Sequence, residues 1–233
     1  AQKSQVIAHR GYWKTAGSAQ NSITSLQKAD SIHCYGSEFD VWLAKDNKLV
    51  VNHDPVYKMK YMEYSKGDAL TGLKLSNGEN LPSLQKYLEA GKKCNTKLIL
   101  ELKAHNSKKR ETKAVQEILA MVKKMGLEDR MEYITFSLHA MKEFIRLAPA
   151  GTSVFYLNGE LSPKELKDLG AAGLDYHMGV IKKHPEWIKE AHDLGLKVNV
   201  WTVDKAEDMK WLIDQKVDFI TTNEPIVAQD MLK

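Results

Sequence analysis

The chain has 233 residues, 43% of them hydrophobic, and 34 basic against 30 acidic side chains leave a formal charge of +4. That length and apolar content can bury one large core. The near balance of charge gives no electrostatic case for a nucleic-acid partner, and no apolar run approaches the roughly 18 residues of a membrane span, so stable membrane insertion is not expected either.

The chain opens on the polar stretch AQKSQ. This start is compatible with a periplasmic or secreted chain after removal of a signal peptide, and equally with a trimmed cytoplasmic one. From there, short β-like runs alternate with amphipathic helical runs. A strand is expected over 5–11 (QVIAHRG) and a helix over 22–32. The next two runs, 38–44 (EFDVWLA) and 48–54 (KLVVNHD), are separated by a very short connection. A parallel crossover needs about a dozen residues or more, so these two must form an antiparallel hairpin, turning near Asp46-Asn47. Residues 55–82 are polar and Tyr-rich without a clear period, and read as a long loop or small insertion over the barrel mouth.

Further strands are expected at 97–103, 131–137, 152–158, 174–178, 197–203 and 218–223, with helices at 111–125, 137–148, 162–173, 185–195 and 206–216. Ser162-Pro163 and His184-Pro185 read as helix starts, and Gly126, Gly173 and Gly195 as helix stops. The basic triplet Lys108-Lys109-Arg110 reads as a solvated helix start. Cys34 and Cys94 match neither a zinc nor a redox spacing; they could pair in an oxidising compartment, but the favoured reading is two buried free thiols. Alternating β and α runs imply a parallel sheet covered by helices. With the hairpin's return arm set aside, eight strands remain. The expected fold is an α/β (β/α)8 TIM barrel in one domain over 1–233, with a hairpin extension after the second strand.

Sites on such barrels lie at the C-terminal ends of the strands. The first strand ends in His9-Arg10-Gly11. The second carries Glu38 and Asp40, two apart and therefore on one face. The hairpin's return arm brings His53 back to the same rim. The 97–103 strand adds Glu101 and Lys103, again two apart; the 197–203 strand adds Trp201, followed by Asp204. Three carboxylates on neighbouring strands repel one another unless a divalent cation joins them, and an all-oxygen set suits Ca²⁺ or Mg²⁺. Two histidines, an arginine and a lysine beside such an ion imply an anionic substrate. Histidine shuttles protons near neutral pH and arginine grips oxyanions, which points to phosphate-ester chemistry. Singly, each residue has an ordinary structural explanation; jointly, at one end of consecutive strands, that explanation is weak. His33, His139, His184 and His192 read as surface or capping residues. His105 and His177 lie near the rim, with either role open.

These residues resemble the glycerophosphodiester phosphodiesterase family. The resemblance is carried by HRG at 9–11, GSEFDV at 36–41, LVVNHD at 49–54, LTGLKLSNGENLPSLQKYL at 70–88, LILELK at 98–103, GLKVNVWTVD at 195–204 and VDFITTNEP at 217–225. It implies a (β/α)8 barrel with a small insertion after the HD motif, and one cation, Ca²⁺ or Mg²⁺, held at Glu38, Asp40 and Glu101. It further implies His9 and His53 as the acid/base pair, with Arg10 and Lys103 near the phosphate. Trp201 is expected to touch the substrate. The implied reaction cleaves a small glycerophosphodiester to glycerol 3-phosphate and an alcohol. The chain departs from the family at Gln20, where a glutamate is usual, and at Asp204 and Asn223, where Asn and Asp respectively are common. Asn21 is expected to cap the following helix. Rival readings are a phospholipase-type enzyme, which would need an apolar surface beside the mouth, and a non-catalytic phosphodiester-binding protein.

Overall fold

In the computed structural model, which describes residues 3–233, alternation along each strand decides the architecture. β1 (Gln5–Ala8) sends Val6 and Ala8 into the apolar layer shared with the surrounding helices and Ile7 into the barrel's interior. After α1 (Ile23–Ser31), β2 (Gly36–Leu43) repeats the pattern: Phe39, Val41 and Leu43 join the outer layer while Glu38 and Asp40 take the alternate face. β3 (Leu49–Val51) returns antiparallel to β2, with Val41 opposite Val51 and Leu43 opposite Leu49. The turn bends at Asn47, whose φ of 67° suits asparagine. The short connection therefore forced the hairpin, as its length required.

The segment 55–82 is more ordered than its composition suggests. It contains a two-stranded ribbon, β4 (Val56–Tyr57) with β5 (Lys60–Tyr61), and a short helix α2 (Gly67–Thr71). Met62, Leu70, Leu75 and Leu81 pack with Trp42 and Val50 into a small apolar core of their own. Scattered large apolar residues with no regular period hid this core from a periodicity argument.

The barrel continues through α3 (Leu84–Lys92), β6 (Lys97–Leu102), α4 (Lys108–Lys124), β7 (Met131–Thr135), α5 (Leu138–Leu147), β8 (Ser153–Tyr156), α6 (Pro163–Leu169) and β9 (Gly173–His177). It ends with α7 (Met178–Lys183), α8 (Glu186–Asp193), β10 (Lys197–Trp201), α9 (Ala206–Asp214), β11 (Phe219–Thr222) and α10 (Pro225–Met231). Strand order around the barrel is β1-β2-β6-β7-β8-β9-β10-β11, closed by parallel pairing of β11 with β1. This is the eight-stranded TIM barrel that the count of runs implies. Ser22, Ser83, Ser107, Ser137 and Ser162 each accept a backbone N–H from three residues on, fixing five helix starts. Helices α2, α3, α7 and α10 were not among the expected ones; all are nine residues or shorter.

The helix expected over 162–173 stops earlier, at Gly170, which adopts φ 90°. Gly173 instead opens β9. A Cβ there would stand 2.1 Å from the carbonyl oxygen of Lys197 on the neighbouring strand, and backbone cannot retreat. Gly173→Ala is therefore expected to destabilise the fold by about 2–3 kcal/mol, read as a lower urea midpoint with an unchanged slope. A wild-type midpoint would show that β9 and β10 can separate.

Two residues near the rim brace the hairpin. His105 Nε2 accepts the Leu43 N–H at 3.0 Å, so its Nδ1 carries the proton and donates to Lys103 O at 2.6 Å. Arg110 donates to Ala44 O and Asn47 Oδ1 at 2.7 and 2.6 Å, while Lys108 and Lys109 are exposed as a solvated helix start should be. Cys34 and Cys94 are both buried free thiols.

Candidate active site

The acidic cluster follows from register. Asp40 on β2 stands directly beside Glu101 on β6, and Glu38 precedes Asp40 on the same face. One carboxylate oxygen from each lies within 4.8 Å of the other two, and all three residues are buried. Burial, then the neighbouring charges of Asp40 and Glu101, push the Glu38 carboxyl well above its ordinary range. Burial and Asp40 push Glu101 up to about 8. Burial also opposes ionisation of Asp40, but Lys103, His53, Asn21 and His9 together outweigh it and hold Asp40 below the usual range. Lys103 Nζ lies 3.0 Å from Glu101 Oε2 and 4.0 Å from Asp40 Oδ1. These approaches are ionic and not aligned as hydrogen bonds, so both oxygens lack a directed donor. Three buried acids facing a single lysine, with oxygens left over, fit a divalent cation with oxygen ligands.

The turn after β1 supports the cluster from below. Arg10 and Gly11 adopt φ of 56° and 77°, which aims the Arg10 N–H at Glu38 Oε1, 3.0 Å away. Asn21, at φ 58°, clamps Asp40: its Nδ2 donates to Asp40 Oδ2 at 3.0 Å and its Oδ1 accepts the Asp40 N–H at 3.1 Å. Asn21 is thus not the helix cap; Ser22 performs that task. A side chain that can hydrogen-bond both ways was needed where Asp40 had one acceptor and one donor to satisfy. Gln20 is exposed and accepts from Arg10 Nη1 at 2.7 Å, so the uncharged residue tethers the guanidinium without neutralising it.

Chemistry fixes the state of His9. Asn223 lies between three side chains: Trp13 Nε1 and His9 Nδ1 both approach its Oδ1 at 2.9 Å, while its Nδ2 and backbone N–H donate to the Asp204 carboxylate at 3.0 and 2.8 Å. Indole can only donate and a carboxylate can only accept, so the amide has one orientation. His9 Nδ1 facing that oxygen must carry a proton, which leaves Nε2 as the free nitrogen. Burial and then Arg10 lower the His9 pKa, against the Asn223 bond that raises it. His53, on the loop after β3, places Nδ1 2.6 Å from Asp54 Oδ1. Its pKa too is lowered, by burial first, against the raising charge of Asp40.

His9, Arg10, Glu38, His53, Glu101 and Lys103 converge on one cavity of about 250 Å³ at the barrel's C-terminal mouth. Its far side is formed by Ile134, Phe136, Leu157, Asp175, Trp201 and Thr221. Trp201 lines it, and its indole N–H is engaged by the Asp175 carbonyl at 2.8 Å, leaving an apolar contact surface. A second cleft, of about 500 Å³, adjoins through Arg10 and His53 and is walled by Trp13, Gln20, Tyr57 and Leu75. A larger hollow, of about 620 Å³, lies on the outer flank by Lys48, Glu79, Lys86 and Glu117, away from the histidines and the acidic cluster.

The other histidines stay outside this constellation. His33 and His192 are exposed, His139 bonds Thr112, and His184 stacks on Trp187. His177 caps α7 by accepting the Gly179 N–H. Asp204 acts on Asn223 from outside the pocket. Sequence reasoning missed Asn21 as an Asp40 clamp, Trp13 and Asp175. Asp175 had one available signal, an acid on the inward face of a strand; Asn21 and Trp13 sit in turns, where no period marks direction.

A profile of the glycerophosphoryl diester phosphodiesterase family matches residues 9–227. A glycerophosphodiester phosphodiesterase from Parabacteroides distasonis has a solved structure that superposes with a TM-score of 0.97 at 52% identity, covering 100% of this chain and 98% of that one. The glycerophosphodiester phosphodiesterase of Caldanaerobacter subterraneus subsp. tengcongensis is 27% identical over 238 residues, spanning 96% of this chain and 95% of its own. A phosphodiesterase from Oleispira antarctica, solved with its product sn-glycerol-3-phosphate, shares the fold at 22% identity and a TM-score of 0.83, over 98% of this chain and 96% of that one. The chain belongs to the glycerophosphoryl diester phosphodiesterase family and is a phosphodiester hydrolase.

Proposed function

We propose that this protein hydrolyses small glycerophosphodiesters to glycerol 3-phosphate and an alcohol, with a divalent cation, Ca²⁺ or Mg²⁺, and with His9 and His53 as the proton-transfer pair. The observation that carries the reading is the convergence of His9, His53, Arg10, Lys103, Glu38 and Glu101 on one cavity, with buried Asp40 completing the acidic cluster beside it. Glu38, Asp40 and Glu101 would hold the cation. When bound, it supplies positive charge against the phosphate oxygens and the attacking oxygen.

The remaining roles belong to the side chains. Arg10 and Lys103 draw the phosphate into the mouth and stabilise charge that builds on its oxygens. His9 is held in the tautomer that leaves Nε2 free. Asp54 orients His53 in the same sense by taking its Nδ1 proton in a hydrogen bond. One histidine withdraws the proton of the attacking oxygen and the other protonates the leaving alcohol. Arrival of an anionic phosphate favours the protonated form of a neighbouring imidazole, which supplies the acid, while the lowered pKa values keep the base neutral.

Coupled detection of glycerol 3-phosphate from glycerophosphocholine and glycerophosphoethanolamine, with EDTA and metal add-back, tests this. Turnover abolished by EDTA and restored by Ca²⁺ or Mg²⁺ is expected. Turnover indifferent to EDTA would overturn the cation's role.

A further inference from the structure

One carboxyl in the pocket stands apart from the acidic cluster. Asp175, midway along β9, is 1% exposed and lines the cavity. Its side-chain Oδ1 meets no donor among the described residues. A buried carboxyl without a partner costs stability, and a ligand group is what would satisfy it. Strand order sets the direction. In the ring β1-β2-β6-β7-β8-β9-β10-β11, β9 lies diametrically across from β2, which carries Glu38 and Asp40. Asp175 therefore sits on the wall opposite the phosphate end, with apolar Ile134, Phe136 and Leu157 between them.

Its neighbours extend a small polar patch. Asp175 is in register with Asn199, and Thr221, which also lines the cavity, donates to Asn199 Oδ1 at 2.9 Å. Burial, and then the negative charge of Glu132, hold the Asp175 carboxyl well above the carboxylate range. A neutral carboxyl both donates and accepts, which matches hydroxyl groups; a quaternary ammonium would call for the ionised form.

We propose that Asp175 is a specificity residue, hydrogen-bonding the hydroxyl groups of the substrate's glycerol moiety across the barrel from the phosphate-binding wall. The assignment rests on the glycerophosphodiester activity proposed above. Two comparisons test it in Ca²⁺- or Mg²⁺-containing buffer. By calorimetry, wild-type protein is expected to bind glycerol 3-phosphate at least ~10-fold more tightly than ethyl phosphate, and Asp175→Leu to equalise the two. In turnover, Asp175→Leu is expected to lower kcat/KM roughly 100-fold on both glycerophosphocholine and glycerophosphoglycerol, and to change bis(4-nitrophenyl) phosphate by less than about threefold. Asp175→Asn, which still donates and accepts, should retain most of the preference and separates lost recognition from lost folding.

Equal loss on all three diesters, or on neither glycerol substrate, overturns the proposal. A loss confined to glycerophosphocholine overturns it in favour of a cation site. If the wild type turns over neither glycerophosphodiester, the proposed activity fails, and the binding comparison still decides Asp175.

Discussion

Replacing His53 with alanine is expected to lower kcat/KM on a glycerophosphodiester by at least ~100-fold while leaving the unfolding temperature close to wild type. The two halves of this expectation have separate causes. His53 is on the hairpin's return loop with its side chain 35% exposed, and its one side-chain hydrogen bond among the described residues is to exposed Asp54, so little packing is lost. The proton transfer proposed for it is lost entirely. Added imidazole should restore part of the rate, because the vacated space opens to both the cavity and the adjoining cleft. His9→Ala should cost a similar factor, but His9 is held more tightly by its surroundings and is the less clean test. Asn223→Leu isolates the positioning of His9. It removes the acceptor that fixes the proton on Nδ1, so an order of 10–100-fold loss in kcat is expected. The imidazole ¹⁵N shifts of His9 should then show a mixed tautomer where wild type shows Nδ1–H. Wild-type turnover in His53→Ala would remove the two-histidine mechanism.

The site was readable because strand alternation carries side-chain direction. Glu38 and Asp40, and likewise Glu101 and Lys103, are two apart, and a period of two leaves no freedom about which face they share. The hairpin was readable for a different reason, since five residues or so cannot span a parallel crossover. What stayed hidden depends on turns and on contacts distant in sequence. Asn21 reaches Asp40 because the backbone at residue 21 is left-handed. Asn223 reaches His9 across 214 positions, and only the closure of β11 on β1 brings them together. Asp204 and Asn223 each looked like an isolated departure from a pattern. In the structure they are one hydrogen-bonded pair, so exchanging acid and amide between them puts an amide oxygen, not a carboxylate, against His9. The ordering of 55–82 was hidden because its core is built from single residues spaced irregularly along the chain.

Adding Ca²⁺ or Mg²⁺ to chelator-treated protein is expected to raise its unfolding temperature, and more at about pH 8 than at about pH 6. The sign follows from the buried acids. Glu38 and Glu101 have folded-state pKa values raised above those of the unfolded chain, Glu101 to about 8. A raised acid contributes stability that is fully present below its unfolded pKa and is lost as pH rises through the folded one. The cation-free protein therefore weakens between about pH 4.5 and 8, as protons leave a site where burial and mutual repulsion disfavour charge. A cation competes with those same protons, so its affinity rises by up to about tenfold per pH unit for each proton displaced until the acids are ionised. At 100 times its dissociation constant a cation stabilises by about 2.7 kcal/mol, which for a chain of this size is roughly 5–10 °C. Calorimetry in buffers of different ionisation enthalpy should detect proton release on binding near neutral pH. Glu101→Gln removes one of the three proposed ligands and one repelling charge together. Its unfolding temperature without cation should equal or exceed that of wild type at about pH 8, while the cation-induced rise should disappear. A rise of equal size at both pH values, or one retained in Glu101→Gln, would place the cation somewhere other than among these three acids.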